Sequence, residues 1–223
     1  MEHLPISLYI LFALTALLTI VLFFKAVGFS KTLTSIFFLW LTIQSLLSIS
    51  GFYQVIHVMP PRFVLLVLPP IALIVATFFS KKGKAFITGI DIGKLTILHI
   101  IRIPVELTLY WLFIHHAVPE MMTFEGRNFD ILCGITAPFI YYFGYIKNKL
   151  NKKVLLAWNI ICLLLLANIV TTAVLSAPFP IQKFAFSQPN IALLYFPFSL
   201  LPAFIVPIVL FSHLVSIRKL LGS

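Results

Sequence analysis

Charge is what this sequence has least of: Asp, Glu, Lys and Arg make up 10% of its 223 residues, against about 25% in a soluble domain. So little polar surface cannot cover a water-soluble globule. Acidic residues are scarcer still, 6 against 16 basic ones. The resulting net charge of +10 would suggest a nucleic-acid partner if the basic residues formed one patch. They gather instead at the ends of apolar runs, so no nucleic-acid partner is expected.

Other absences narrow the function. The chain has no His-Glu-x-x-His, no Gly-x-Ser-x-Gly and no P-loop, so nothing supports a hydrolase or an ATPase. Its last apolar run has no lysine on which a retinal Schiff base could form. His99 and His116 lie at different depths of a single run, whereas bis-histidine haem ligation needs facing helices at matched depth. No cofactor is expected. The two cysteines, Cys133 and Cys162, count to different depths of different runs, farther apart than a disulfide allows, and read as small buried side chains. The start of the chain, Met1 to Pro5, lacks the basic region of a signal peptide, so the first run is expected to be retained.

What the chain has is hydrophobicity: 61% of residues are apolar and mean hydropathy is +1.10. Apolar runs cover 5–27, 33–56, 63–80, 95–118, 131–146, 154–176 and 191–217. A span needs about 20 residues, so this pattern predicts an all-α integral membrane protein. It would be a bundle of about seven transmembrane helices forming a single domain over residues 1–223. The third and fifth runs are short and carry Pro69-Pro70 and Pro138, which predict kinks.

The connectors set an orientation, because lysine and arginine accumulate on the cytoplasmic side. One set of alternate connectors holds Lys25, Lys31, Lys81, Lys82, Lys84, Lys94, Lys147, Lys149, Lys152, Lys153, Arg218 and Lys219. The other holds Arg62, Arg127 and Lys183, with the acids Glu2, Glu120, Glu125 and Asp130. The N-terminus is therefore expected outside and the C-terminus in the cytoplasm, in a plasma or bacterial inner membrane. Residues 85–93 are expected to lie along the cytoplasmic interface, with Lys81, Lys82 and Lys84 near anionic lipid.

The fourth run is the anomaly, because His99, Arg102, Glu106 and Tyr110 interrupt it. Inserting an arginine or aspartate at a helix centre costs about 2.5–3.5 kcal/mol, so these groups need partners. On a regular helix all four share a stripe about 80° wide, which must face the bundle or a wet cavity. Arg102 and Glu106 have the i, i+4 spacing of an internal ion pair. Pro104 has no N–H, which frees the carbonyl of Ile100 for Arg102, a water or a cation. Gln44 and Ser48 on the second run, Asn159 and Asn168 on the sixth, and Tyr141 and Tyr142 on the fifth are candidate partners, with Gln44 the preferred helper.

A second polar cluster, His115, His116, Glu120, Glu125, Arg127, Asn128 and Asp130, follows the fourth run. Its spacing matches no metal signature, since adjacent histidines on a helix point about 100° apart, and no metal is expected. It reads as an outer recognition loop, with Gly126 in a tight turn, Arg127 paired with Glu125 or Asp130, and Asn128 or Asp130 capping the next helix. His57 is placed to join it.

These features favour a small permease, or an ion- or proton-coupled carrier of a small solute. Glu106 would take up a proton or cation, and Arg102 would hold an anionic group or tune Glu106. Two alternatives are a membrane enzyme acting on a lipid-type substrate through the outer His and acid cluster, and a non-catalytic membrane subunit or sensor. The expected partners are the bilayer, a small solute or ion, and a second copy or a partner subunit.

Overall fold

The computed structural model describes residues 4–222; the expectation for Glu2 and for the start of the chain lies outside them. The described residues contain helices and no strand. α1 (Ile6–Val27) and α2 (Lys31–Ile49) are continuous helices. α3 (Val64–Phe79) turns by 85° at Ser80 into the short α4 (Lys81–Thr88). α5 (Ile92–Leu98) runs through a 3-10 turn at His99–Ile101 into α6 (Arg102–Ile114). α7 (Ile131–Tyr141) ends in a π turn at Tyr142–Ile146, and α8 (Lys152–Leu175) is continuous. A second π turn at Leu201–Ile205 leads into α9 (Val206–Gly222).

Five of these helical units are long and apolar enough to cross a membrane: α1, α2, Ile92–Ile114, α8 and Leu201–Gly222. The bent pair α3 and α4 makes a sixth if it counts as one span, and Ile131–Ile146 is a shorter apolar helix. All seven apolar runs thus meet a helix, but two fall short of full length. The sequence boundaries also shift. The second run stops being helical at Ile49, because Gly51 takes a left-handed φ of +74°. The seventh run makes only a 3-10 turn at Ala192–Leu194 before Leu201, and Pro197 interrupts it there.

The corner at Ser80 has a local cause. Its side chain accepts a hydrogen bond from Gly83 N at 3.0 Å, which starts α4. Gly83 packs so close to Thr77 that a Cβ there would lie 2.1 Å from the Thr77 carbonyl oxygen. Where an interfacial segment is expected at 85–93, the helix runs from Lys81 to Thr88, and Lys219 Nζ donates to the carbonyls of Thr88 and Ile90.

Large apolar side chains line the outside: Ile6 is 77% exposed and Leu164 64%. The interior, by contrast, holds Arg102, Glu106, His99 and His213. Such an inverted distribution is compatible with apolar surroundings. α9 is the central helix, packed against α8, α5 and α3, while α5 and α6 pack against α1 and α7. Pro207 of α9 has no N–H to offer the Ala203 carbonyl one turn earlier, and Trp40 Nε1 donates to that oxygen instead at 2.9 Å.

Candidate functional site

The site begins where α7 crosses α6. A Cβ on Gly134 would lie 2.9 Å from Ile103 Cγ1 and 3.2 Å from Arg102 Cβ, so the absent side chain is what lets the two helices approach. Asp130, one turn before Gly134, is thereby brought to Arg102. Arg102 Nη1 donates to Asp130 Oδ1 at 2.8 Å and to the Cys162 carbonyl at 3.3 Å, while Nη2 lies 3.1 Å from His213 Nε2. Both charged side chains are nearly inaccessible, at 2% and 7%.

From Arg102 the network runs both ways. His213 Nδ1 is 3.0 Å from Asn159 Oδ1, and Asn159 Nδ2 donates to the Leu155 carbonyl at 2.9 Å. His99 stacks on His213 with ring centroids 3.9 Å apart and planes at 13°, with the Trp158 ring 5.6 Å from His99. On the other side the Asp130 backbone N–H donates to Asn128 Oδ1 at 3.1 Å. Asn128 Nδ2 lies 2.7 Å from each carboxylate oxygen of Glu106 and 3.0 Å from the Met122 carbonyl. One buried polar chain therefore links Glu106, Asn128, Asp130, Arg102, His213 and Asn159 across α6, α7, α8 and α9.

This geometry corrects several expectations. Arg102 and Glu106 do not form the i, i+4 pair; Asp130 takes Arg102, and Asn128 takes Glu106. The Ile100 carbonyl is not the partner of Arg102 either. Asn128 and Asp130 are no part of an outer recognition surface, because the loop before α7 dips inward and buries them, to 0% and 5% exposure. Neither side chain caps α7. Gln44 does not join the stripe; Tyr53 Oη donates to its Oε1, and Ser48 bonds Ser199 at 2.7 Å.

Tyr110 completes no buried stripe. It is half-buried, stacks on Phe124 at 4.9 Å and meets Glu125. Of the four, His99, Arg102 and Glu106 are buried, and Tyr110, near the far end of α6, is the one that is not. Tyr142 is exposed beneath Lys147. Asn168 donates to the Arg127 carbonyl at 3.0 Å and ties the loop to α8.

The residues that stay outside are His57, His115, His116, Glu120, Glu125 and Arg127, all exposed. His116 meets Gln188, and Arg127 pairs with neither Glu125 nor Asp130. Glu120 and Arg127 line an open cavity of about 530 Å³ with Phe113, Met121 and Gln188. Among the described residues no three His, Cys, Asp or Glu side chains are grouped to hold a metal ion, so the outer His and acid cluster is dispersed. Cys133 and Cys162 are free and buried, but their thiols come into hydrogen-bonding contact.

His213 is the site residue that sequence reasoning missed. Its signal was available: Ser212, His213 and Ser216 interrupt the last apolar run, and all three are fully buried.

An all-helical chain with apolar exterior and a buried, partly uncompensated charged cluster is thus the class that fold and site define. Residues 59–221 match the family model described as "Domain of unknown function (DUF8737)", and the chain belongs to that family. No curated protein and no solved structure matches.

Proposed function

We propose that this protein is a small multi-pass membrane carrier that couples movement of a small solute to a proton or cation taken up at Glu106. In this reading α3 is a third span, α4 lies along the cytoplasmic face beyond it, and α7 is a fifth span. The chain then crosses seven times, with the lysine-rich connectors in the cytoplasm of a plasma or bacterial inner membrane.

The observation that carries the reading is charge balance. Arg102 is matched by Asp130, whereas Glu106, 1% exposed, has an amide for its partner and no cation within ion-pair distance among the described residues. An ionised carboxylate held there costs several kcal/mol. Glu106 is therefore buried with a proton or a cation, and it can be freely ionised only when it is opened to water. That alternation is the elementary step of coupled transport. The loop that carries Asn128 also lines the open cavity at Arg127 and Glu120, so one loop joins that cavity to the partner of Glu106.

Proteoliposomes holding a trapped pH-sensitive dye test the reading against a panel of amino acids, carboxylates and sugars. At least one solute gradient is expected to drive proton movement, and Glu106→Gln is expected to abolish it. Proton movement in the variant equal to wild type, or none with any solute, would overturn it.

A further inference from the structure

The two stacked histidines are held in opposite ways. Arg102 can only donate, so His213 Nε2, 3.1 Å from Nη2, is the acceptor. His213 Nδ1 must then carry the hydrogen that Asn159 Oδ1 accepts. Asn159 is oriented for this, since its Nδ2 donates to the Leu155 carbonyl. His213 is thus locked as one neutral tautomer, and a ring flip or an added proton would break the Arg102 contact.

His99 is just as deeply buried, at 0% exposure, yet neither of its ring nitrogens has a hydrogen-bond partner. Buried polar groups almost always have partners, and an exception points to a bound water or a chemical role. A half-turn of the ring about Cβ–Cγ keeps the stack on His213 and breaks no hydrogen bond. No hydrogen bond therefore fixes which of the two nitrogens of His99 faces which way.

Arg102 faces His99 from the same helical unit, with its own Nε unpartnered. His213 faces it from α9 and Trp158 from α8. Asp130, Cys133 and Cys162 lie beyond Arg102. Towards the lysine-rich end come Thr96 and Tyr145, in contact with each other, and Ser216, one turn past His213. The buried hydroxyl oxygen of Ser216 has no partner. Asp91 and Lys94 pair at the exposed end of this file, at 3.4 Å.

We infer that His99 is a proton-relay residue, the free member of a histidine pair whose other member is locked. It passes protons between the Thr96, Tyr145 and Ser216 hydroxyls and Glu106. This rests on the reading of Glu106 as the group that takes up the proton. In one cycle a proton joins the unprotonated ring nitrogen, the opposite N–H releases its proton towards the Glu106 side through water, and the ring flips back. One proton moves and no electron does; Asp130 already matches Arg102, so the imidazolium is a transient net positive charge that the onward release removes.

Infrared spectroscopy of the reconstituted protein provides the test, because it needs no solute. A carboxylic-acid band that Glu106→Gln removes reports the proton on Glu106, and its shift after transfer to heavy water reports exchange. His99→Gln is expected to slow that shift by about ten-fold or more. A band that shifts at the wild-type rate in His99→Gln overturns the relay alone. A wild-type protein with no such band overturns the relay together with the proton form of the Glu106 reading. Nitrogen NMR of histidine-labelled wild-type protein checks the same idea without a variant. His213 is expected as a single tautomer and His99 as an average of two, and a single fixed tautomer at His99 overturns the relay.

Discussion

Arg102 Nη1 lies 2.8 Å from Asp130 Oδ1, with the two residues 28 positions apart in sequence and both almost wholly buried. Breaking one side of such a pair leaves an uncompensated charge. Arg102→Ala is expected to destabilise the protein by about 3–5 kcal/mol, read by denaturant unfolding in mixed micelles. Removing both side chains, in Arg102→Ala with Asp130→Ala, is expected to cost less than Arg102→Ala alone.

Asn128 supplies the one amide that both oxygens of Glu106 approach. Asn128→Ala removes it and is expected to cost about 1–3 kcal/mol in the same assay. On a Glu106→Met background the same substitution should cost less. The difference measures the coupling of the two residues, expected at about 0.5–3 kcal/mol.

Glycines mark two close approaches. A Cβ on Gly126 would lie 2.4 Å from the Glu120 carbonyl oxygen, and one on Gly83 2.1 Å from that of Thr77. Both obstacles are backbone. Gly126→Ala and Gly83→Ala are each expected to cost about 1–3 kcal/mol. At Gly89 the nearest atom is 3.6 Å away and the backbone is right-handed helical. Gly89→Ala is expected to be neutral or to stabilise by up to about 1 kcal/mol, which makes it the control in a thermal-shift comparison.

Trp40 satisfies the Ala203 carbonyl that Pro207 leaves without its helical donor. Trp40→Phe keeps a ring in place but removes the N–H, with an expected cost of about 1 kcal/mol. The loss should also appear as faster amide exchange around Leu201–Ile205, measured by mass spectrometry.

The sequence by itself determined that the chain is helical and apolar, where each run lies, and that the segment from His99 to Glu106 is its polar exception. These follow from local hydrophobicity and helical period, which need no knowledge of neighbours. It also marked Asn128 and Asp130 as polar, but assigned them to the outer face because distance along the chain was read as depth. Only the tertiary structure decided otherwise. The absent side chain of Gly134 lets α7 press against α6, and the loop before it sinks, so Asp130 reaches Arg102 before Glu106 can. His213, 111 positions from Arg102, enters the same way. Helical period tells which way a side chain leaves its own axis, but which helix waits there depends on how closely two backbones can approach, and that is set by packing.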